Sequence, residues 1–99
     1  MFHTVCKFED LPDRHGYLVE VDGEGIALFR IGSELHALAN ACPHREGPLA
    51  FGDVRGGMVY CPLHAWGFDV RTGECDDPAA AGARTFRVRV EGDDVQIEL

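Results

Sequence analysis

Two short motifs that each combine a cysteine with a histidine constrain this chain more than any other feature. The first is Cys-Pro-His at residues 42–44, and the second is Cys-Pro-Leu-His at residues 61–64, with sixteen residues between them. Thiolate sulfur and imidazole nitrogen are common metal ligands in proteins. The spacing therefore predicts a metal centre formed by two loops within about residues 41–68. Its four candidate ligands are Cys42, His44, Cys61 and His64.

Size and charge limit the classes of protein that fit. A chain of 99 residues predicts a single domain, residues 1–99, with a modest core. The formal net charge is −8, from nine Lys and Arg against seventeen Asp and Glu. So few cations cannot neutralise many phosphates, which argues against nucleic acid and anionic membrane surfaces as partners. The acidity is compatible both with steering toward a basic patch on a partner protein and with simple solubility.

The beginning of the chain carries no basic cluster followed by an apolar run, so we expect no secretory signal. The longest apolar run in this part, residues 26–29, is far too short to cross a membrane. We therefore expect a cytoplasmic location. In a reducing cytoplasm, four cysteines favour metal or redox chemistry over a disulfide framework.

Short alternating segments separated by turn residues predict an all-β chain, a small antiparallel sandwich or barrel. In the segment at residues 85–90, Phe86, Val88 and Val90 are predicted to face inward. Asp-Gly-Glu-Gly at residues 22–25 and Gly-Gly at residues 56–57 are hairpin turn signals. Strands are predicted over residues 2–8, 17–21, 26–31, 35–38, 52–55, 58–60, 67–70 and 85–90, with a last strand holding Val95, Ile97 and Leu99.

Zinc and an iron–sulfur cluster both accept two cysteines and two histidines. Zinc-finger sequences usually pair Cys with Cys and His with His, whereas each motif here is mixed. A mixed motif suits a centre with two metals in which each loop gives one ligand to each metal. In a Rieske centre two histidines replace two cysteines on one of the two irons.

The chain resembles the Rieske ferredoxin family. Besides both motifs, Ala-Trp-Gly-Phe-Asp at residues 65–69 and the Arg-Thr-Gly turn at residues 71–73 are similar to the family's pattern. The resemblance implies a Rieske fold with a cluster-binding tip formed by two loops. It also implies one [2Fe–2S] cluster, with one iron held by two thiolates and the other by two imidazoles. The implied assignment is Cys42 and Cys61 to one iron, and His44 and His64 to the other.

The same resemblance sets an expectation for the reduction potential. Two neutral histidines in place of two thiolates leave the oxidised cluster uncharged, which raises the potential above that of all-cysteine clusters. Respiratory Rieske proteins add a loop disulfide, where this chain has Gly47 and Leu63. They also add Ser and Tyr hydroxyls that donate to sulfur, where this chain has Trp66 and Phe68. We therefore expect a potential on the order of −150 mV, the low end of the Rieske range.

The resemblance implies an electron-transfer component rather than an enzyme by itself. The leading interpretation is a soluble, monomeric ferredoxin that carries one electron from a flavin-dependent reductase to a terminal oxygenase of the aromatic-ring dioxygenase type. The chain has no room for a mononuclear iron domain and no leftover His, His and carboxylate set with suitable spacing. An alternative is the small subunit of an NAD(P)H-dependent nitrite reductase, which the motifs also resemble. A structural zinc module is a more remote alternative.

Two cysteines lie outside the motifs. Cys6 falls within a predicted strand, on the face of Phe2 and Phe8, and we expect it to behave as a small buried apolar residue. Cys75 lies among polar residues and is expected to be an exposed free thiol without a role. Trp66 is expected to pack against the cluster loops.

Overall fold

The computed structural model describes residues 1–40, 48–63, 66–77 and 81–99. Within these ranges nearly all regular structure is β, which confirms the predicted class. No helix there is long and apolar enough to cross a bilayer. Two 3₁₀ turns, Phe8–Asp10 and Leu49–Phe51, accompany the strands β1 (Phe2–Lys7), β2 (Gly16–Val21), β3 (Glu24–Ile31), β4 (Glu34–Ala39), β5 (Asp53–Arg55), β6 (Met58–Tyr60), β7 (Gly67–Asp69), β8 (Thr85–Phe86), β9 (Val88–Glu91) and β10 (Asp94–Glu98).

The strands form three antiparallel sheets, with a core cluster on each side of the central one. The central sheet has the order β2-β3-β4-β8, and the outer sheets have the orders β1-β10-β9 and β5-β6-β7. Successive residues of β3 alternate between the cores, with Ala27 and Phe29 in the first cluster and Ile26 and Leu28 in the second. The first cluster also holds residues of β6 and β7, and the second holds residues of β10. The apolar run in β3 is thus explained by a strand that is buried on both faces.

Two hairpins follow from local turn chemistry. The β2–β3 turn consists of Asp22 and Gly23, with φ of 50° and 81°, and the β5–β6 turn consists of Gly56 and Gly57, with φ of 58° and 84°. Positive φ at both central positions is the type I′ geometry, which matches the twist of the flanking strands. The hairpin predicted between the metal motifs is therefore confirmed, and β3 begins two residues before the predicted position.

The prediction of a single strand over residues 85–90 is wrong. The segment is interrupted at Arg87, so that β8 pairs with β4 in the central sheet and β9 pairs with β10 in an outer sheet. Val90, predicted to face inward, is 44% exposed. Phe86 and Val88 both pack against the second core cluster, so the predicted inward face holds as far as Val88. The alternating pattern does not show where a segment passes from one sheet to another.

A β-bulge changes the predicted faces of β1. Thr4 pairs with Gln96 and Cys6 pairs with Val95, which leaves Val5 as the extra residue. A bulge shifts the alternation by one position. Val5 and Cys6 consequently both pack against the second core cluster, whereas Thr4 is exposed.

Candidate metal centre

Cys61 is the one predicted ligand within the described residues. It directly follows β6, is only 1% exposed and belongs to the first core cluster. Its thiol is free, with no disulfide partner. The other three predicted ligands, Cys42, His44 and His64, lie outside the described residues.

The chain leaves the β5-β6-β7 sheet at Cys61 and returns to it at Trp66, and these two residues are neighbours. The backbone N–H of Cys61 donates a 2.8 Å hydrogen bond to the carbonyl of Trp66, one step beyond the pairing of Tyr60 with Gly67. A Cβ at Gly67 would lie 2.8 Å from Cε1 of Tyr60 and 3.0 Å from Oδ2 of Asp76. A side chain at residue 67 would therefore displace the Tyr60 and Asp76 side chains that pack closely at this end of the loop. The ladder thus restrains the chain at Cys61 and at Trp66, on either side of residues 62–65.

The chain segments that flank the first motif are also joined by hydrogen bonds. The carbonyl of Asn40 accepts from the N–H of Leu49 at 2.6 Å, and Oδ1 of Asn40 accepts from the N–H of Ala50 at 2.8 Å. Leu49 and Ala50 belong to the 3₁₀ turn and are buried in the first core cluster. The chain on either side of residues 41–48 is thus joined by two hydrogen bonds.

The segment that follows the first motif lies against the strand that precedes the second. A Cβ at Gly52 would be 2.4 Å from the carbonyl oxygen of Tyr60 and 2.8 Å from Cγ2 of Val59. The absence of a side chain at residue 52 lets the end of the 3₁₀ turn touch the backbone immediately before Cys61. The fold therefore brings the flanks of both motifs onto one core cluster, as expected for a centre formed by two loops.

The surface beside Cys61 combines exposed apolar side chains with charged ones. A groove there is lined by Phe51, Asp53, Arg55, Tyr60, Cys61, Pro62 and Leu63. Phe51 is 69% exposed and Leu63 is 57% exposed, which is unusual for side chains of this size. At the rim, Arg55 pairs with Asp53 at 2.9 Å and lies over the Tyr60 ring, 4.9 Å from its centroid. The two charged side chains of the groove are thus paired with each other.

The cysteines outside the motifs differ in part from expectation. Cys6 is half-buried against the second core cluster, as predicted, and burial together with the charge of Asp10 raises the pKa of its thiol above the ordinary value of 9.0. Cys75, predicted to be exposed, is half-buried and packs against the first cluster, because it forms a β-bridge with Phe68. Its Sγ lies 3.8 Å from Oδ1 of Asp76. In the described ranges no three His, Cys, Asp or Glu side chains gather into a further candidate metal site.

Trp66 packs against the first core cluster. Most of the cluster loops that it was expected to contact lie outside the described residues. Asn40 and Gly52 were not singled out from the sequence, although both hold the flanks of the motifs. Asn40 stands two residues before a candidate ligand, yet its partner Ala50 is ten residues away, on the far side of the motif. Only the fold brings them together.

The chain matches the family model of the Rieske [2Fe-2S] domain over residues 1–87. The chain belongs to the Rieske [2Fe-2S] domain family. Among similar proteins, the ferredoxin component of the naphthalene 1,2-dioxygenase system of Pseudomonas aeruginosa is 33% identical over 91 residues, which cover 91% of this chain and 88% of that protein. Apoptosis-inducing factor 3 of Mus musculus is 35% identical over 95% of this chain, but this chain spans only 16% of its length.

Solved structures agree with the family. The ferredoxin of carbazole 1,9a-dioxygenase from Nocardioides aromaticivorans IC177 superposes with a TM-score of 0.92 at 29% identity, covering 98% of this chain and 96% of that one. A chain in a complex of reduced oxygenase and oxidized ferredoxin superposes with a TM-score of 0.89 at 26% sequence identity, covering 97% of this chain and 91% of that one. A putative NADPH nitrite reductase small subunit superposes with a TM-score of 0.86 at 28% sequence identity, covering 100% of this chain and 99% of that one. The predicted Rieske fold is confirmed.

A Rieske-type [2Fe–2S] cluster is the cofactor of this family, and the chemistry of this chain fits it. The chain offers two thiols and two imidazoles in mixed motifs. The described thiol, Cys61, is free and held in a dry core, where a bound thiolate is shielded from water. The family match favours the cluster over the zinc module.

Proposed function

We propose that this chain is a Rieske ferredoxin, a one-electron carrier and the electron-transfer component of a multicomponent oxidoreductase system rather than an enzyme by itself. The match to the Rieske domain model over residues 1–87 carries the proposal. Similarity to dioxygenase ferredoxins supports it, because the matched region covers 88% of the naphthalene component and 96% of the carbazole ferredoxin. When bound, the cluster supplies a site that accepts and releases one electron.

We assign the ligands by motif. Cys42 and Cys61 would hold one iron through sulfur, and His44 and His64 would hold the other through nitrogen. The burial of Cys61 supports its role, since a core thiol has no access to competing solvent chemistry. The residues that follow β6 would keep its sulfur in place through the Cys61–Trp66 hydrogen bond.

The partners in this proposal are a flavin-dependent reductase, which donates the electron, and a terminal oxygenase of the aromatic-ring dioxygenase type, which accepts it. The solved complex of oxygenase with ferredoxin supports the second partner by analogy. The exposed Phe51 and Leu63 beside Cys61 support docking close to the centre. We further propose a single domain over residues 1–99, a monomer, and a cytoplasmic location.

The first test is on the purified chain. A Rieske cluster gives a coloured protein and, on reduction, a rhombic EPR signal whose average g falls below that of all-cysteine clusters. A colourless protein that holds one zinc ion per chain would contradict the proposal. The second test is a pull-down from the native host with tagged holoprotein. The carrier predicts weak, salt-sensitive association with a flavin reductase and an oxygenase.

A second candidate is the small subunit of an NAD(P)H-dependent nitrite reductase. The agreement with the putative nitrite reductase small subunit, over 100% of this chain, favours it. This candidate predicts a tight stoichiometric complex with one large flavin- and haem-bearing chain in the same pull-down. The strength of the association and the cofactors of the captured chains thus separate the two candidates.

A further inference from the structure

Asn40 makes three hydrogen bonds that join three parts of the chain. Its N–H donates to the carbonyl of Gly25 at 3.0 Å, its carbonyl accepts from the N–H of Leu49 at 2.6 Å, and its side-chain Oδ1 accepts from the N–H of Ala50 at 2.8 Å. The first bond continues the β3–β4 ladder. The other two tie the end of that ladder to the 3₁₀ turn on the opposite side of the first motif.

We propose that Asn40 is a positioning residue for the cluster, because its hydrogen bonds join the two chain segments that flank the first motif. The proposal rests on the proposed function, in which Cys42, two residues beyond Asn40, is a ligand. Asn40 touches neither metal nor substrate and acts through the backbone of residues 49 and 50.

The partner of Asn40 is itself fixed in place. Leu49 is fully buried and Ala50 is 4% exposed in the first core cluster. A Cβ at Gly16 would lie 2.1 Å from the carbonyl oxygen of Ala50, so the two backbones are in direct contact. A hydrogen bond to such an anchored peptide restrains Asn40, whereas a bond to a mobile loop would move with it.

Restraint of the loop ends lowers the cost of binding. Residues 41–48 connect Asn40 to the 3₁₀ turn, and a segment with free ends loses more conformational entropy when its ligands are captured. The Asn40 side chain contributes one of the two hydrogen bonds that join the ends. Removing it also leaves the buried N–H of Ala50 without its acceptor.

The chain offers a matched control for this bond. Oδ1 of Asp13 accepts from the N–H of Gly32, also at 2.8 Å, at the turn between β3 and β4. That turn is at the end of β3 remote from Gly25 and Asn40. Asp13→Ala therefore removes a side-chain-to-backbone bond of the same length far from the motifs, and Asn40→Asp keeps the oxygen acceptor in nearly the same shape.

The experiment compares holoprotein of the wild type, Asn40→Ala, Asn40→Asp and Asp13→Ala. We measure the rate of cluster loss to an iron chelator by visible absorbance, amide hydrogen exchange of the 48–52 segment by mass spectrometry, and the EPR line positions after reduction. Asn40→Ala should lose the cluster about fivefold faster than wild type, the equivalent of one net hydrogen bond, with faster exchange at Ala50 and shifted EPR lines. Asn40→Asp should restore slow loss and slow exchange, and Asp13→Ala should lose its cluster at the wild-type rate.

Two results would overturn the inference alone. In the first, the wild type holds a normal Rieske cluster while Asn40→Ala loses it no faster than Asp13→Ala. In the second, Asn40→Asp loses it as fast as Asn40→Ala. A wild-type chain that takes up no cluster would instead overturn the proposed function together with this inference, so the two failures are distinguishable.

Discussion

The backbone amide of Cys61 donates a 2.8 Å hydrogen bond to the carbonyl oxygen of Trp66. This bond places the thiol at the first position after a paired strand, where the backbone is still restrained by the ladder. The same thiol is buried between the β5-β6-β7 sheet and the central sheet. One ligand of the proposed centre is therefore positioned by regular structure.

Replacement of Cys61 should abolish the cluster. Cys61→Ser removes the sulfur but keeps the size, so we expect little or no [2Fe–2S] absorption and an iron content well below two per chain. Cys75→Ser is the control, because Cys75 is also half-buried at the first core cluster but lies outside the motifs. It should retain both irons and the wild-type EPR signal. Equal cluster loss in both variants would contradict the ligand assignment.

The contact of Gly16 with Ala50 should make residue 16 intolerant of any side chain. Gly16→Ala places a Cβ 2.1 Å from a backbone oxygen, which only a shift of the backbone can relieve. We expect the free energy of unfolding to fall by about 2 kcal/mol, measured by urea denaturation. At Gly25 the nearest atom to an added Cβ is 3.6 Å away, so Gly25→Ala should change stability by less than about 0.5 kcal/mol. A Gly16→Ala variant with the stability of the wild type would contradict this prediction, because it would show that the backbone at Ala50 can shift without cost.

The parts of the fold that were predictable depend on neighbouring residues. Asp22 with Gly23, and Gly56 with Gly57, determine their hairpins through φ angles that other residues rarely adopt. The bulge at Val5 and the break at Arg87 depend on which sheet each strand joins, which is decided by residues far along the chain. Local alternation carries no information about that choice.

The candidate site also has a part that the sequence predicts and a part that depends on distant contacts. The metal motifs are recognisable because metal chemistry requires specific side chains at short spacing, and Cys61 is indeed buried and free. The residues that hold the motifs, Asn40 and Gly52, act through backbone contacts with Ala50 and Tyr60. Such contacts leave no pattern in the sequence. The half-buried state of Cys75 was missed for the same reason. Its neighbours in the sequence are polar, and it is covered only because it forms a bridge with Phe68.

Stability should depend on the ionisation of Glu34. The hydrogen bond from His36, and then the charge of Arg71, lower the pKa of the Glu34 carboxyl below its ordinary value of 4.5. A depressed folded-state pKa contributes stability that is complete above the unfolded value and is lost as the pH falls through the folded value. Glu34→Gln should therefore be less stable than wild type at pH 6, by a margin that shrinks toward pH 3.

The measurement is the urea midpoint of both chains at pH 6, 4.5 and 3. Glu74→Gln is the control, because the Glu74 carboxylate makes no ion pair with the part of the chain that the structure describes. At pH 6 it should lower the urea midpoint less than Glu34→Gln does. A gap between wild type and Glu34→Gln that grows on acidification would contradict the sign of the effect.

The reduction potential should be low and should respond to a hydroxyl at residue 68. Phe68 is completely buried in the same core cluster as Cys61 and has no donor to offer to sulfur. We expect a potential on the order of −150 mV, and a value above roughly +100 mV would contradict this reasoning. Phe68→Tyr supplies the hydroxyl that respiratory Rieske proteins carry at the matching position. A hydrogen bond to a charged acceptor contributes about 1.5 kcal/mol, so the one-electron potential should rise by roughly 60 mV.

Phe86→Tyr is the control for this substitution, because Phe86 packs against the second core cluster, on the other face of the central sheet. It adds the same hydroxyl away from the proposed centre and should leave the potential unchanged. Both potentials are read by spectroelectrochemical titration, with the urea midpoint checked in parallel because a buried hydroxyl also costs stability. A Phe68→Tyr variant that folds, holds two irons and keeps the wild-type potential would show that missing donors are not the reason for a low value. Charge and burial at the cluster would then have to account for it.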